Sequence, residues 1–404
     1  MYRLCKASFY AVSIIVSVVM IFMSVGYFYL PDSYTSVNDV SLQFKGVMFS
    51  GSAKTGDGSS SNNTADGSVD IDFLRVFPVK TVPLTLRPRK YVMVGGDIFG
   101  LKMYTDGVVI VDIDSTDEAN EKSPAELAGL MIGDSIISID GKRVVTTVDV
   151  SQCIKNSRGQ PLKLEFKRNS KSYSTVLTPR IADDNSGYKA GLWLRDSMAG
   201  MGTITFYDPN AGIYAGLGHA VCDVDSGRAL PLAGGEILDA KISSCVKSEN
   251  GKTGELSGYF GNRTIGNILL NCSMGVYGEY SVKRSSELLA VAAKEEIKVG
   301  PAKVIASTDN DGKREYDIEI KSINTGATGR EHNMIIRITD PSLLAKTGGI
   351  VQGMSGSPIV QNGMLVGAVT HVFLNNCTEG YAIFAENMIN TAQYVKENLI
   401  DNAA

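Results

Sequence analysis

Two short stretches of this chain hold the residue types that acyl transfer requires. The first is Gly353-Met354-Ser355-Gly356-Ser357-Pro358, set between apolar strand-like runs. A serine hydroxyl becomes a useful nucleophile only when a neighbouring imidazole can take its proton. Glycines two before and one after Ser355 mark a tight turn, on which the N–H groups of Gly353 and Ser355 can converge on a developing oxyanion. Ser357 competes as nucleophile, but Pro358 follows it directly and its glycine bracketing is poorer. The second stretch is Gly216-Leu217-Gly218-His219-Ala220-Val221. The chain has three histidines, His219, His332 and His371, and His219 has the best context for a base. His371 falls on the strand leaving the hairpin after the serine and reads as structural or pocket-lining. His332, between Glu331 and Asn333, reads as surface loop. The imidazole also needs a carboxylate beside its other nitrogen, and Asp223, Asp225, Asp239, Glu255 and Asp340 all qualify by spacing. A Gly/Ser turn or a lone histidine is usually structural. The pairing of the two stretches is what points to chemistry.

The elements that must position these residues read as short strands. Gly202–Tyr207 is strand-like, Ile350-Val351 and Pro358–Val360 flank the serine turn, and Leu365–Val369 follows an Asn362-Gly363 turn. Such spacing predicts a barrel or sandwich rather than a βαβ sheet. Only the end reads helical, with Met388, Ala392, Val395 and Leu399 on one face. Upstream, residues from about Tyr91 to Pro179 form a separate pattern. It holds a buried-type strand at Gly107–Val111, a capped short helix at Ser123–Leu130 and a strand ending in Asp140-Gly141. A helical face follows at Val150, Cys153 and Ile154, then alternating Leu162, Leu164 and Phe166.

Composition narrows the classes. A chain of 404 residues predicts two or more domains. A net charge of −4 gives no reason to expect a nucleic-acid partner. The six cysteines lack CxxC spacing and there is no HExxH, so neither a metal nor any other cofactor is expected. No P-loop is present. From Ala7 to Leu30 the chain carries no charge, long enough for a membrane-crossing helix. Arg3 and Lys6 precede it, which predicts an uncleaved anchor with the rest of the chain outside the cytoplasm. Ser50 to Ser68 has almost no large side chain to bury and is expected to be a flexible tether open to proteolysis.

Two resemblances follow from these motifs. The run "SPAELAGLMIGDSIISIDGKRV" is similar to the pattern of PDZ domains, which add an extended peptide to a sheet edge. That resemblance implies a carboxylate-binding loop at Ile98-Phe99-Gly100-Leu101. "GLWLRDSMAGMGTITFYDP", "GLGHAVCDVDSG" and "TGGIVQGMSGSPIVQNGMLVGAVTHV" resemble the stage IV sporulation protein B family of serine peptidases. This second resemblance covers almost the whole chain, including the order anchor, linker, PDZ domain, peptidase. It implies His219 as base, Ser355 as nucleophile and Asp340 as acid.

The expected fold is therefore mainly β: an N-terminal transmembrane helix (1–30), a linker (31–90) with its tether at 50–68, an α+β PDZ domain (91–180), and a chymotrypsin-like double β-barrel with a C-terminal helix (185–404). The family implies an endopeptidase acting between forespore and mother-cell membranes. It would cut itself and a membrane-anchored regulator to trigger late sigma-factor activation, with a peptide as PDZ ligand, its own N-terminal region being one candidate. The alternatives are a non-catalytic membrane-anchored PDZ adaptor and an HtrA-like protease, although the latter place the protease before the PDZ domain.

Overall fold

A computed structural model describes residues 10, 13–14, 16–24, 27, 30, 34–37, 43–45, 49–55, 66–114, 122–182, 187–281, 287–324 and 332–401. Its contacts separate two compact units, Met1–Lys90 and Tyr91–Ala404. The apolar run expected as an anchor lies partly outside the described residues. Among those described, no helix is long and apolar enough to cross a membrane.

The first unit is not the plain linker expected over 31–90. Strands Tyr34–Val37, Gln43–Lys45, Phe49–Thr55, Asp66–Phe73 and Phe77–Arg87 form one sheet, ordered first, fifth, fourth, third, second. Val69, Ile71 and Phe73 alternate with Asp70 and Asp72, and this period of two buries one face together with Val82 and Leu84. Both ends of the expected tether are paired, Ser50 with Asp72 and Thr55 with Gly67. Its middle, 56–65, lies outside the described residues.

The second unit is organised by two long antiparallel strands, Ile98–Ile113 and Leu192–Asp208, which pair along most of their length. Their outer halves belong to a module whose core contains Val108, Ile110, Ile136, Ile139, Val150, Ile154, Leu164, Phe166 and, from the returning strand, partly buried Leu192 and Leu194. Local chemistry sets its elements. Ser123 and Glu126 make a capping box at the helix Pro124–Leu127, and Thr146 and Asp149 another at the helix Thr147–Asn156. Asp140-Gly141 and Asn169-Ser170 turn with positive φ at both residues, as tight hairpins require.

The inner halves of the same two strands enter a barrel. With Ile213–Gly216, Gly275–Glu279, Glu255–Asn267 and Leu232–Val246 they form a ring of six, closed by a bridge between Gly266 and Tyr280. Phe99, Leu101, Ile204, Tyr214, Leu217 and Ile237 fill it. The PDZ-like module is thus an insertion carried on a ribbon that starts and ends in the barrel. That placement corrects the expected carboxylate loop: Ile98-Phe99-Gly100-Leu101 is continuous strand, paired with Gly200–Thr203 on one side and with Ile237 to Asp239 on the other. Phe99 is fully buried in the barrel core, and a side chain on Gly100 would strike the Phe260 ring.

A second ring of six strands follows: Gly300–Ala306, Arg314–Ile323, Met334–Ile338, Asn376–Phe384, Met364–Phe373 and Pro358–Gln361, the last pairing back to the first. Its core includes Val304, Ile318, Ile336, Ile350, Met354 and Phe384. The C-terminal helix Ala385–Asp401 buries Met388, Ile389, Ala392 and Val395 among residues of both rings.

Candidate active site

Ser355 and His219 line one cleft of about 470 Å³, His219 reached from the first barrel and Ser355 from the second. Ser355 stands on a turn between the helix Pro341–Thr347 and the strand Pro358–Gln361. Five consecutive carbonyls of that turn are occupied. Gln352 O accepts from Leu256 N–H at 2.9 Å, Met354 O from Ser357 N–H at 2.9 Å and Ser355 O from Thr203 N–H at 2.9 Å. The hydroxyls of Thr203 and Thr205 donate to Gly353 O and Gly356 O, each at 2.8 Å. Both threonines are buried, so neither bond competes with water. Gly356 has φ +92°, and a Cβ there would lie 2.0 Å from Thr203 O, so this position requires glycine.

The N–H groups of Gly353 and Ser355, by contrast, meet no acceptor among the described residues. A peptide unit is planar and trans, so its N–H points opposite its carbonyl. Anchoring Gln352 O and Met354 O therefore aims the Gly353 and Ser355 N–H groups away from those anchors, on a turn that lines the cleft. Fixed donors of this kind can stabilise an oxyanion without reorganising during reaction. The Ser355 hydroxyl itself donates to Thr370 O at 2.9 Å and is not engaged with an imidazole. A rotation about its Cα–Cβ bond is needed before it can react. Ser357, the competing serine, is fully buried, its hydroxyl finds no partner among the described residues, and it does not line the cleft.

The histidine side is built differently. Leu217 and Gly218 both have left-handed backbone, φ +65° and +71°, just before His219. For the leucine that conformation costs about 1–3 kcal/mol, a strain that a fixed surrounding must hold. His219 Nδ1 lies 2.8 Å from Ala220 O, so this nitrogen carries the proton and donates it. In the neutral ring Nε2 then has the lone pair, the tautomer a general base needs. Beyond His219, Asn271 clasps Val221 through both its N–H and its carbonyl, at 2.8 and 3.0 Å. Arg195, on the ribbon between module and barrel, pairs with Asp223 at 2.6 Å and Asp225 at 2.8 Å. Arg228 donates to Ile132 O of the inserted module.

The structure also assembles what the sequence scattered. The His371 ring lies 4.7 Å from that of His219, and His332 meets His371 edge-on at 5.2 Å while stacking on Tyr381 at 4.0 Å. The three histidines thus form one row, of which His219 and His371 line the cleft and His332 stands behind His371. His332 belongs to it because the strand Met334–Ile338 pairs with Asn376–Phe384, a long-range match no local pattern announces. Among the described residues, no three His, Cys, Asp or Glu side chains are grouped to hold a metal.

Asp340 is not brought to this row. Its Oδ1 accepts from the N–H groups of Ser342 and Leu343, at 2.9 and 3.1 Å, and from the Ser342 hydroxyl; Oδ2 accepts from Asp317 N–H at 3.3 Å. It is the N-cap of the helix Pro341–Thr347. The Ser342 hydroxyl foremost, with these backbone donors, holds its carboxyl below the usual carboxylate range. The Asp-Pro pair was a readable signal for that role, since proline favours the first helical position and aspartate the cap before it. Thr203, Thr205 and Leu256 escaped sequence reading because hydroxyl-to-backbone and backbone-only contacts leave no motif.

With the geometry in place, the chain's relatives are informative. The family profile described as SpoIVB peptidase S55 matches residues 186–389, and a PDZ-domain profile matches 117–168. A two-barrel peptidase with an inserted PDZ domain is the class these define. The chain belongs to the SpoIVB peptidase S55 family and is a serine peptidase. A zinc metalloprotease of Bartonella henselae is 31% identical over 80 residues, 20% of this chain and 22% of that protein. Zinc metalloprotease RasP of Geobacillus kaustophilus is 36% identical over 62 residues, 15% of each. The chain thus spans less than a quarter of the length of these curated relatives. Among solved structures, the PDZ domain of the SdrC-like protein of Listeria monocytogenes is 22% identical, covering 22% of this chain and 87% of that one (TM-score 0.19). The HtrA-type protease AlgW with decapeptide is 14% identical, covering 50% and 54% (TM-score 0.30).

Proposed function

We propose that this peptidase is an endopeptidase using Ser355 as nucleophile, His219 as general base and the N–H groups of Gly353 and Ser355 as oxyanion donors. The observation that carries this reading is the serine turn, with its carbonyls anchored and those two N–H groups without acceptors beside a cleft that also holds His219. Ser355 Oγ leaves Thr370 O, attacks the scissile carbonyl and passes its proton to Nε2. The imidazolium returns that proton to the leaving amine, and water repeats the cycle on the acyl-enzyme. Ala220 O would orient the ring by holding Nδ1–H, a task a carboxylate performs in other serine peptidases. Asp340 would then act at one remove, through the helix that leads into the serine turn. The cleft is lined by Met198, Met201, Leu217, Val221, Ile350 and Val372, with no charged side chain among the described residues. It therefore suits an uncharged apolar side chain beside the scissile bond, since a charge there would be desolvated without a partner.

The family likeness supports a finer reading: a peptidase anchored by its N-terminal apolar run between forespore and mother-cell membranes. It would cut a membrane-anchored regulator, and itself near 50–68, to trigger late sigma-factor activation. The PDZ domain supports a peptide ligand. Its place would be the second edge of Leu192–Arg195, which no described strand pairs, facing the helix Thr147–Asn156 tied to it by Thr147 N–H to Asp196 at 2.8 Å. The test is self-cleavage of the full chain followed by N-terminal mass, wild type against Ser355→Ala. Wild type should shed its N-terminal region while the variant stays intact. Equal clipping of both would remove the reading.

His371 is the second candidate base, favoured by its ring lying 4.7 Å from His219 and by its neighbour's carbonyl holding the Ser355 hydroxyl. His219→Ala and His371→Ala separate the two.

A further inference from the structure

We infer that Ser248 is a positioning residue for the oxyanion hole, an inference that rests on the assignment of Ser355 and Gly353 above. Ser248 lies far from the nucleophile in sequence and does not line the cleft. It is 4% exposed, and its hydroxyl is used twice. It donates to Ile350 O at 2.7 Å and accepts from Gly254 N–H at 2.7 Å. Its own N–H donates to Thr347 O at 2.8 Å. One small side chain therefore staples two segments, 254–256 and 347–352, that are also joined by a short parallel bridge between Glu255 and Gln352 and by packing of Leu256 in the same core as Ile350 and Val351.

That bridge sets the oxyanion donor. Gln352 N–H donates to Gly254 O at 2.8 Å, and Gln352 O accepts from Leu256 N–H at 2.9 Å. The Gln352–Gly353 peptide is thus gripped at its carbonyl, and its N–H is the Gly353 donor. Were the 254–256 segment free to move, the peptide could rotate and turn that N–H out of the cleft, leaving Ser355 N–H alone. The approach is too close for any side chain at Gly254: a Cβ would lie 2.3 Å from Val246 O and 2.4 Å from Ser248 N. Substituting Ser248 by Ala leaves Gly254 N–H and Ile350 O buried without partners, and the segment has reason to shift. Ser248 bonds neither the Ser355 hydroxyl nor the His219 ring, and its bond to the apolar lining is to the main-chain carbonyl of Ile350 rather than to a side chain. The deficit should therefore fall on the chemical step and not on binding.

The experiment uses the full chain and an alkyl fluorophosphonate, whose attack by serine also develops charge on an oxygen in the oxyanion hole. For Ser248→Ala the limiting labelling rate should fall about 10- to 100-fold while the half-saturating concentration stays within about twofold. Ser248→Thr, which keeps the hydroxyl, should recover most of the rate. Ser248→Cys, close in volume but a weak donor, should resemble Ala and serves if the Ala variant does not fold. A folded Ala or Cys variant that labels at the wild-type limiting rate, or one whose loss lies in half-saturation alone, overturns the inference. Equal labelling of wild type and Ser355→Ala would instead overturn the assignment of the nucleophile. The two failures are distinguishable.

Discussion

The two walls of the cleft are built on different principles. On the serine side, five successive carbonyls are anchored, four by strands of the first barrel and one by Ser357 of the turn itself, and the two N–H groups that meet no acceptor among the described residues are those that can meet an oxyanion. On the histidine side, a strained left-handed leucine and a glycine lead into an imidazole held at one nitrogen by the next residue's carbonyl. The loop beyond is tied through Arg195 and Arg228 to the ribbon and the inserted module. The contrast teaches what holds each half. The electrostatic half of the site is fixed by the barrel itself, whereas the loop that follows the base is fastened to the ribbon and the inserted module.

The largest expected effect is on the serine side. Ser355→Ala should lower cleavage by about 10,000-fold or more, with a melting profile close to wild type. On the histidine side, His219→Ala should cost nearly as much, and His371→Ala less than about tenfold. The reverse ranking in initial rates would move the base to His371. Phe99→Ala should destabilise the first barrel by about 3–5 kcal/mol, read in denaturant unfolding, because it empties a fully buried site. If it instead weakened peptide binding at unchanged stability, Ile98–Leu101 would be the carboxylate loop after all.

The smallest effect is the most discriminating. Asn caps a helix as well as Asp does, so Asp340→Asn should change activity less than about threefold, while Asp340→Ala should cost about 1 kcal/mol of stability. A triad acid would behave otherwise, with Asn losing several orders of magnitude. The pH dependence has a definite sign. A carboxyl whose pKa is lower folded than unfolded stabilises above its unfolded value, about 4, and loses that contribution as pH falls through the lower folded one. The wild-type advantage over Asp340→Ala should therefore be full at neutral pH and shrink in acid below about pH 4.

What was legible in the sequence was local. Asn362-Gly363, Asp140-Gly141 and the Ser-x-x-Glu box at Ser123 specify their turns and caps through their own side chains, and each forms as read. The Gly-x-Ser-Gly pattern likewise marks a turn that needs glycine at position 356. What escaped reading depends on pairing across long separations. Residues 98–101 look like a glycine-containing loop until their partners at 200–203 and 237–239 are known. The insertion of one domain into another is invisible to a pattern that assumes domains follow in order. The row of histidines needs two strands to meet before it exists.

In the proposed mechanism Ser355 is activated across the cleft by His219. Labelling the full chain with an alkyl fluorophosphonate and mapping the adduct by peptide mass tests this most directly. The prediction is a single adduct on Ser355, absent from Ser355→Ala and strongly reduced in His219→Ala. An adduct on Ser357, or labelling of Ser355 that is unchanged without His219, would contradict it.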